Sequence, residues 1–219
     1  MTPPLRTIVI GFGNVAAGLA EDLRMARFYP RATHAQVLKD HPAFDWQAVV
    51  DPSPDACERA RRDWEIPHVG SDVETVCAAY EPDVAVIAAP PGERREILEK
   101  LPSVRALLVE KPLGTCLSEA EEFLEVCRRR ALLVQVNYFR RADKSYRELV
   151  SGRLEELIGR AQAIFGVYGR GLHNNAAHVV DLVRMLFGEV VSVQAIGETV
   201  PAPDALLEGD VALPFSMNL

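Results

Sequence analysis

Apolar and polar positions divide the chain into two parts of different rhythm. Over the first 137 residues, short apolar stretches alternate with segments of helical period. Residues 5–10 are apolar and rich in β-branched side chains, which predicts a strand; glycines follow, then a helix over about 14–27. Residues 28–44 read as a less regular insert. A second strand is predicted over 46–50, ending at Asp51-Pro52-Ser53-Pro54, where Ser53 can cap a helix reaching about Trp64 and Pro54 can take its first position. Ser71-Asp72-Val73-Glu74 reads as a capping box opening the next helix. Residues 84–88 form a third strand stopped by Pro90-Pro91, and 93–100 a helix. A strand over 104–109 ends at Glu110-Lys111-Pro112, a second capping box at Ser118-Glu119-Ala120-Glu121 starts a helix to about Arg130, and 132–136 close the series as a strand.

Strands that are apolar throughout and alternate with helices are parallel and covered on both faces, because crossover helices occupy both sides of the sheet. Residues 1–137 therefore read as a Rossmann-type, doubly wound α/β domain. Ligands of such sheets bind beyond the carboxyl ends of the strands. After Val136 the pattern changes to a polar helix near 142–151, an alternating run over 157–168, a helix over 174–187 ended by Gly188, and a strand-like stretch over 190–196. Residues 200–208 read as loop, and 211–217 as a last short strand, at an edge because of Pro214. The expected second domain, 138–219, is α+β.

Composition narrows the class. The chain has 219 residues, 48% apolar and 25% charged, with a net charge of −7, which fits a globular protein and offers no global field to gather nucleic acid. No apolar run approaches the roughly 18 residues of a membrane span, and the N-terminus lacks a secretory layout, so a cytoplasmic protein is expected. Cys57, Cys77, Cys116 and Cys127 have neither metal nor redox-motif spacing and read as four buried small residues; the five histidines form no metal pattern. No metal site is expected.

The chemistry lies at the strand ends. Gly11-Phe12-Gly13-Asn14-Val15-Ala16 directly follows the first strand. Gly11 permits a sharp turn, Gly13 lets backbone approach a pyrophosphate, and Ala16 stands in the third glycine position, which tolerates alanine. The following helix N-terminus offers free amides to phosphates. Asp51 can accept from both adenosine ribose hydroxyls and repel a 2′-phosphate, favouring NAD over NADP; it can also act as a helix-capping aspartate, and the two roles are compatible.

The GxGxxA turn, Asp51, Ala88-Ala89-Pro90, Glu110-Lys111-Pro112 and a His-x-x-Asp helix closed by Gly188-Glu189-Val190 resemble the Gfo/Idh/MocA oxidoreductases, NAD(P)-dependent enzymes acting mostly on sugars and cyclitols. The resemblance implies a Rossmann domain that binds NAD through Gly11, Gly13, Asn14, Val15, Asp51, Ala89, Pro90, Glu110 and Lys111. It places Lys111 between nicotinamide and substrate, where an ammonium can stabilise alkoxide-like charge as hydride leaves. It also makes His178 the acid/base, a role that suits imidazole near neutral pH.

Asn174, His178 and Asp181 stand at i, i+4 and i+7, on one face of the predicted helix, and such a polar stripe suggests a cleft between domains; Asp181 pairing with Arg184 on an ordinary exposed face is the alternative. Many members carry aspartate where this chain has Asn174, whose amide can orient an imidazole or bind a hydroxyl but cannot act as a base. Asn137, Tyr138, Arg140 and Arg141 follow the last strand of the first domain and are expected, with Lys111, Asn174, His178 and Asp181, to contact substrate; Tyr168, Arg170 and His173 are further candidates. The arginines could grip a phosphate or carboxylate, or be solvated surface.

The expected function is hydride transfer between nicotinamide and a secondary hydroxyl or ketone of a sugar, sugar nucleotide or cyclitol, by a homo-oligomer without nucleic-acid or membrane partners. A nucleotide-binding sensor without turnover is the alternative. Only about 80 residues follow Val136, where the family has a large open sheet, so a shortened second domain, or a truncated member, is also expected.

Overall fold

The structure, a computed structural model, describes residues 3–205 and 209–219. The chain forms two compact units, Met1–Asn137 and Tyr138–Leu219.

In the first unit, strands β1 (Leu5–Ile10), β2 (Phe44–Val50), β3 (His68–Gly70), β4 (Val84–Ile87), β5 (Ala106–Val109) and β6 (Leu133–Val136) form one sheet in the order β3-β2-β1-β4-β5-β6. Every pairing is parallel. The chain winds outward from β1 in one direction and then in the other, so a switch point lies between β1 and β4. Successive residues face opposite sides. Ile8, Ile10, Val50, Ile87 and Val109 pack with Val76, Leu98 and Phe123 of the helices α4 (Val73–Tyr80), α5 (Arg94–Glu99) and α6 (Leu117–Arg129). On the other face Val9, Val49 and Val86 pack with Phe12, Ala16, Ala35, Leu38 and with Ala56 and Ala60 of α3 (Pro54–Trp64).

The stretch after β1 departs from the expected helix over 14–27. Asn14–Ala17 form a turn, Gly18–Glu21 a 3-10 turn, and α1 spans only Leu23–Phe28. Leu23 and Phe28 are 86% and 70% exposed, so this segment has no core to pack against. The chain then returns as α2, His34–Asp40, within the stretch expected to be irregular. His34 N–H donates to Val15 O (3.3 Å) and Ala35 N–H to Ala16 O (2.9 Å), so α2 continues the Asn14–Ala17 turn after an excursion over 18–32. Ala35 and Leu38 supply the buried face, and Thr33 with Gln36 forms a capping box that the sequence contained.

Smaller differences have local causes. β3, three half-buried residues long, lacks the apolar run that would announce a strand. Ser53 caps α3 with Pro54 inside the first turn, as expected. Asp72 rather than Ser71 caps α4, its side chain accepting from Thr75 N–H. At α6 no side chain caps: Cys116 is the N-cap residue, and Glu119 reaches back to Thr115 N–H and Oγ1 (both 2.5 Å). Cys57, Cys77 and Cys127 are buried, but Cys116 is exposed, because the start of α6 lies at the surface.

In the second unit, α7 (Lys144–Glu148) runs through a π-type turn at Leu149–Arg153 into α8 (Leu154–Ile158). The alternating run over 157–168 forms no strand; Phe165 and Val167 are 92% and 79% exposed, and no neighbouring strand pairs them among the described residues. A π-type turn, Leu172–Ala176, precedes α9, Ala177–Phe187. β7 (Ser192–Ala195) pairs antiparallel with β10 (Phe215–Asn218), and β8 (Val200–Pro201) with β9 (Val211–Ala212). Pro214 thus splits the expected last strand in two. The expected loop over 200–208 begins with β8, and its end, 206–208, lies outside the described residues. No helix of the described residues is long and apolar enough to cross a membrane.

Candidate functional site

The parallel register aligns the strand ends of the first unit. Ile10 lies opposite both Val50 and Ile87, Ile87 opposite Val109, and Val109 opposite Val136. The residues that follow, Gly11, Asp51, Ala88, Glu110 and Asn137, therefore stand in one row along the carboxyl edge. The ladder continues through them: Gly11 N–H donates to Val50 O, Ala88 to Ile10 O, Glu110 to Ile87 O and Asn137 to Val109 O, at 2.8–2.9 Å.

Gly11 has φ +86°, and a Cβ there would lie 2.6 Å from Ala89 N, so both conformation and close approach require glycine. At Gly13 a Cβ would meet nothing within 4 Å. Gly13, Asn14 and Val15 are exposed, whereas Ala16 is fully buried in the core. An open turn with exposed backbone at Gly13 fits a dinucleotide pyrophosphate, and the buried Ala16 accounts for the small residue in the third position.

Asp51 is 9% exposed and both its oxygens are engaged: Oδ2 accepts from Phe12 N–H (2.5 Å) and Oδ1 from Ser53 N–H (2.8 Å). It ties the glycine turn to the end of β2, while the capping of α3 falls to Ser53. A carboxylate has roughly four lone-pair sites, so further acceptance from ribose hydroxyls is compatible with these bonds. Arg59 of α3 lies over the Phe12 ring, 5.6 Å from its centre, and donates to Phe12 O.

Glu110 is buried and held by two side chains. Its Oε1 lies 2.8 Å from His34 Nε2 and accepts from Asn137 Nδ2 at 2.6 Å. Burial alone would raise its carboxyl, but the bonds from His34 and Asn137 and the nearby charge of Lys111 hold it below the usual glutamate range. An ionised carboxylate only accepts, which assigns the hydrogen of this contact to His34 Nε2. Asn137, expected against substrate, thus has its amide on Glu110. Lys111, next along the chain, is half-buried. Pro90 is exposed and Ala89 buried, with Ala89 O accepting from Arg94 Nε at 3.0 Å.

In the second unit, Asn174 lies in the π-type turn and not in α9, so it is not on a regular helical face with His178 and Asp181. It is 4% exposed. Asp210 organises this turn, accepting from the N–H groups of Leu172, His173 and Asn174 at 3.1–3.2 Å and lying 3.0 Å from His173 Nδ1. The His178 ring meets Tyr138 and Phe139 edge-on, each at 5.8 Å between centres. Asp181 pairs with Arg141 (2.7 Å) and Arg184 with Glu189, so the alternative Asp181–Arg184 pair does not form, and Arg141 is committed to an ion pair. Arg140 stacks on Phe139. Tyr168 Oη donates to Leu213 O (2.6 Å).

Sequence reasoning passed over His34, Arg59, Arg94 and Asp210. The Thr33-x-x-Gln36 capping box could have placed His34 at a helix start, but no local pattern announces a partner 76 residues away.

Residues 5–138 match the profile of a family described as an oxidoreductase family with an NAD-binding Rossmann fold. No curated protein matches. Among solved structures, apo scyllo-inositol dehydrogenase from Lactobacillus casei is similar with a TM-score of 0.71 at 21% identity, over 93% of this chain and 62% of that one. The same enzyme with bound NAD(H) and scyllo-inositol gives 0.64 at 20% identity, over 91% and 61%. Myo-inositol 2-dehydrogenase from Lactobacillus plantarum gives 0.62 at 20%, over 88% and 59%. This chain therefore spans about 60% of the length of these structures.

Proposed function

The chain belongs to the Gfo/Idh/MocA family of oxidoreductases, and on that premise we propose that it transfers hydride between NAD and a secondary hydroxyl or ketone of a sugar, sugar nucleotide or cyclitol. The observation that carries this reading is the row of strand ends, which sets the open Gly11–Ala16 turn and the Glu110-Lys111 pair along one edge of the same sheet. The Gly13 backbone receives the pyrophosphate, with Asn14 and Val15 beside it and Asp51 toward the adenosine ribose. When bound, the nicotinamide supplies the hydride donor or acceptor. Lys111 hydrogen-bonds the reacting oxygen and stabilises its developing negative charge, and Ala89, Pro90 and Glu110 line the cofactor edge around it. In the second unit, His178 exchanges the hydroxyl proton, and Tyr138, Arg140 and Asn174 contact substrate.

Fluorescence titration with NADH, then turnover assays over sugars, sugar nucleotides and cyclitols, test this function. Lys111→Ala should abolish turnover and leave NADH affinity within about threefold; retained turnover would overturn the role of Lys111.

A nucleotide-binding sensor is the second reading, favoured by Asn174, a buried amide at the position where many members of the family carry aspartate. Tight NADH binding with no redox change over the whole panel would favour the sensor.

A further inference from the structure

Arg94 is the first residue of α5 and is 2% exposed. Three backbone carbonyls surround its guanidinium: Nε donates to Ala89 O (3.0 Å), while Nη1 donates to Glu110 O (2.6 Å) and to Pro112 O. Glu110 and Pro112 are the two chain neighbours of Lys111. One nitrogen thus grips the backbone on both sides of the lysine, and another atom of the same planar group grips the loop after β4. That loop in turn touches the glycine turn, since Ala89 N and Ala88 C lie 2.6 and 2.8 Å from where a Gly11 Cβ would be.

From this geometry, and resting on the placement of Lys111 beside the nicotinamide, we propose that Arg94 is a positioning residue that fixes the Lys111 backbone relative to the cofactor edge of the sheet. A rigid fork of donors does this well, because its angles are set by one plane and not by several rotors. Burial works against the charge and pushes the guanidinium down to about 10, still ionised at neutral pH. The side chain of Glu110 takes its hydrogen bonds from His34 and Asn137, so the hydrogen bonds of Arg94 go to the main chain and not to that carboxylate. With the carbonyls of both chain neighbours held, the main chain at Lys111 has less freedom to shift.

The chain contains only four lysines, Lys39, Lys100, Lys111 and Lys144, so reductive 13C-methylation gives an NMR spectrum in which the Lys111 signal is assignable by its loss in Lys111→Arg. NADH should shift this signal in the native protein. In Arg94→Gln the NADH-induced shift should fall below half its native size, with NADH affinity changed less than threefold and the other lysine signals unmoved. Arg94→Lys, which keeps the charge but not the fork, should behave alike and serves if the glutamine variant does not fold. Arg130→Gln is the control for general loosening, because Arg130 also donates to two carbonyls of this unit, Leu98 O and Leu101 O; it should leave the Lys111 shift intact. An undiminished shift in both folded Arg94 variants, or an equal loss in Arg130→Gln, overturns the proposal alone. A native Lys111 signal indifferent to NADH overturns the proposal together with the placement of Lys111 beside the cofactor.

Discussion

His34 Nε2 and Glu110 Oε1 lie 2.8 Å apart, joining the helix that resumes the glycine turn to the residue before Lys111. Both side chains are about nine-tenths buried. His34→Leu removes one of two donors to a buried carboxylate and should destabilise the first unit by about 1–3 kcal/mol. His34→Gln retains an N–H donor and should recover at least half of that loss. Urea unfolding followed by circular dichroism measures both; equal stability of His34→Leu and the native protein would show that the contact contributes nothing.

Stability should also depend on acid through Glu110. Its carboxyl lies below the ordinary glutamate value of about 4.3, so folding favours the ionised form. The contribution is complete above that ordinary value and is lost as pH falls through the lower folded one. Glu110→Gln removes the titration, so the stability gap between native protein and variant should be widest at pH 6 and narrow toward pH 3. Melting curves over that range check the sign, and a gap that widens in acid would contradict it.

The two glycines of the first turn should respond differently to alanine. Gly11→Ala meets both a positive φ and the Ala89 backbone, and should cost about 1–3 kcal/mol from strain alone. Gly13→Ala projects into open space and should leave the melting temperature within about 2 °C, a shift worth at most about 0.5–1 kcal/mol. NADH titration of Gly13→Ala should nevertheless show at least about tenfold weaker binding, on the order of 1.4 kcal/mol. Native affinity in that variant would remove the turn from the cofactor site.

Asp51 offers a test of cofactor choice. Asp51→Asn keeps an acceptor for Phe12 N–H or Ser53 N–H but removes the negative charge. NADPH affinity relative to NADH should rise at least about tenfold, equivalent to roughly 1.4 kcal/mol, when the two are titrated side by side. An unchanged ratio would confine Asp51 to holding the turn.

Much of the first unit was legible because its signals are local. A buried parallel strand must be apolar on both faces, and an abrupt end at Asp51, Pro90 or Glu110 marks where the chain leaves the sheet. Gly11, Asp51, Ala89 and Glu110 are accordingly placed at strand ends by sequence alone. The stretch after β1 departs from expectation for the opposite reason: residues 14–27 are compatible with a helix by propensity, but Ala35 and Leu38 are buried in the core while Leu23 and Phe28 are exposed, and packing overrides propensity. In the second unit the alternation over 157–168 suggested a strand, yet a strand forms only where a partner offers its hydrogen bonds.

Residue order along the chain determined the alternation of strand and helix, the turn that requires glycine at position 11, and the family to which the chain belongs. Tertiary structure alone decided which polar side chains meet: His34 and Asn137 on Glu110, Arg94 on the carbonyls around Lys111, and Arg141 rather than Arg184 on Asp181. The difference is physical. Backbone conformation and apolar burial follow from near neighbours and period, whereas a buried polar group must find whatever partner the fold brings within about 3 Å, and sequence distance carries no trace of it.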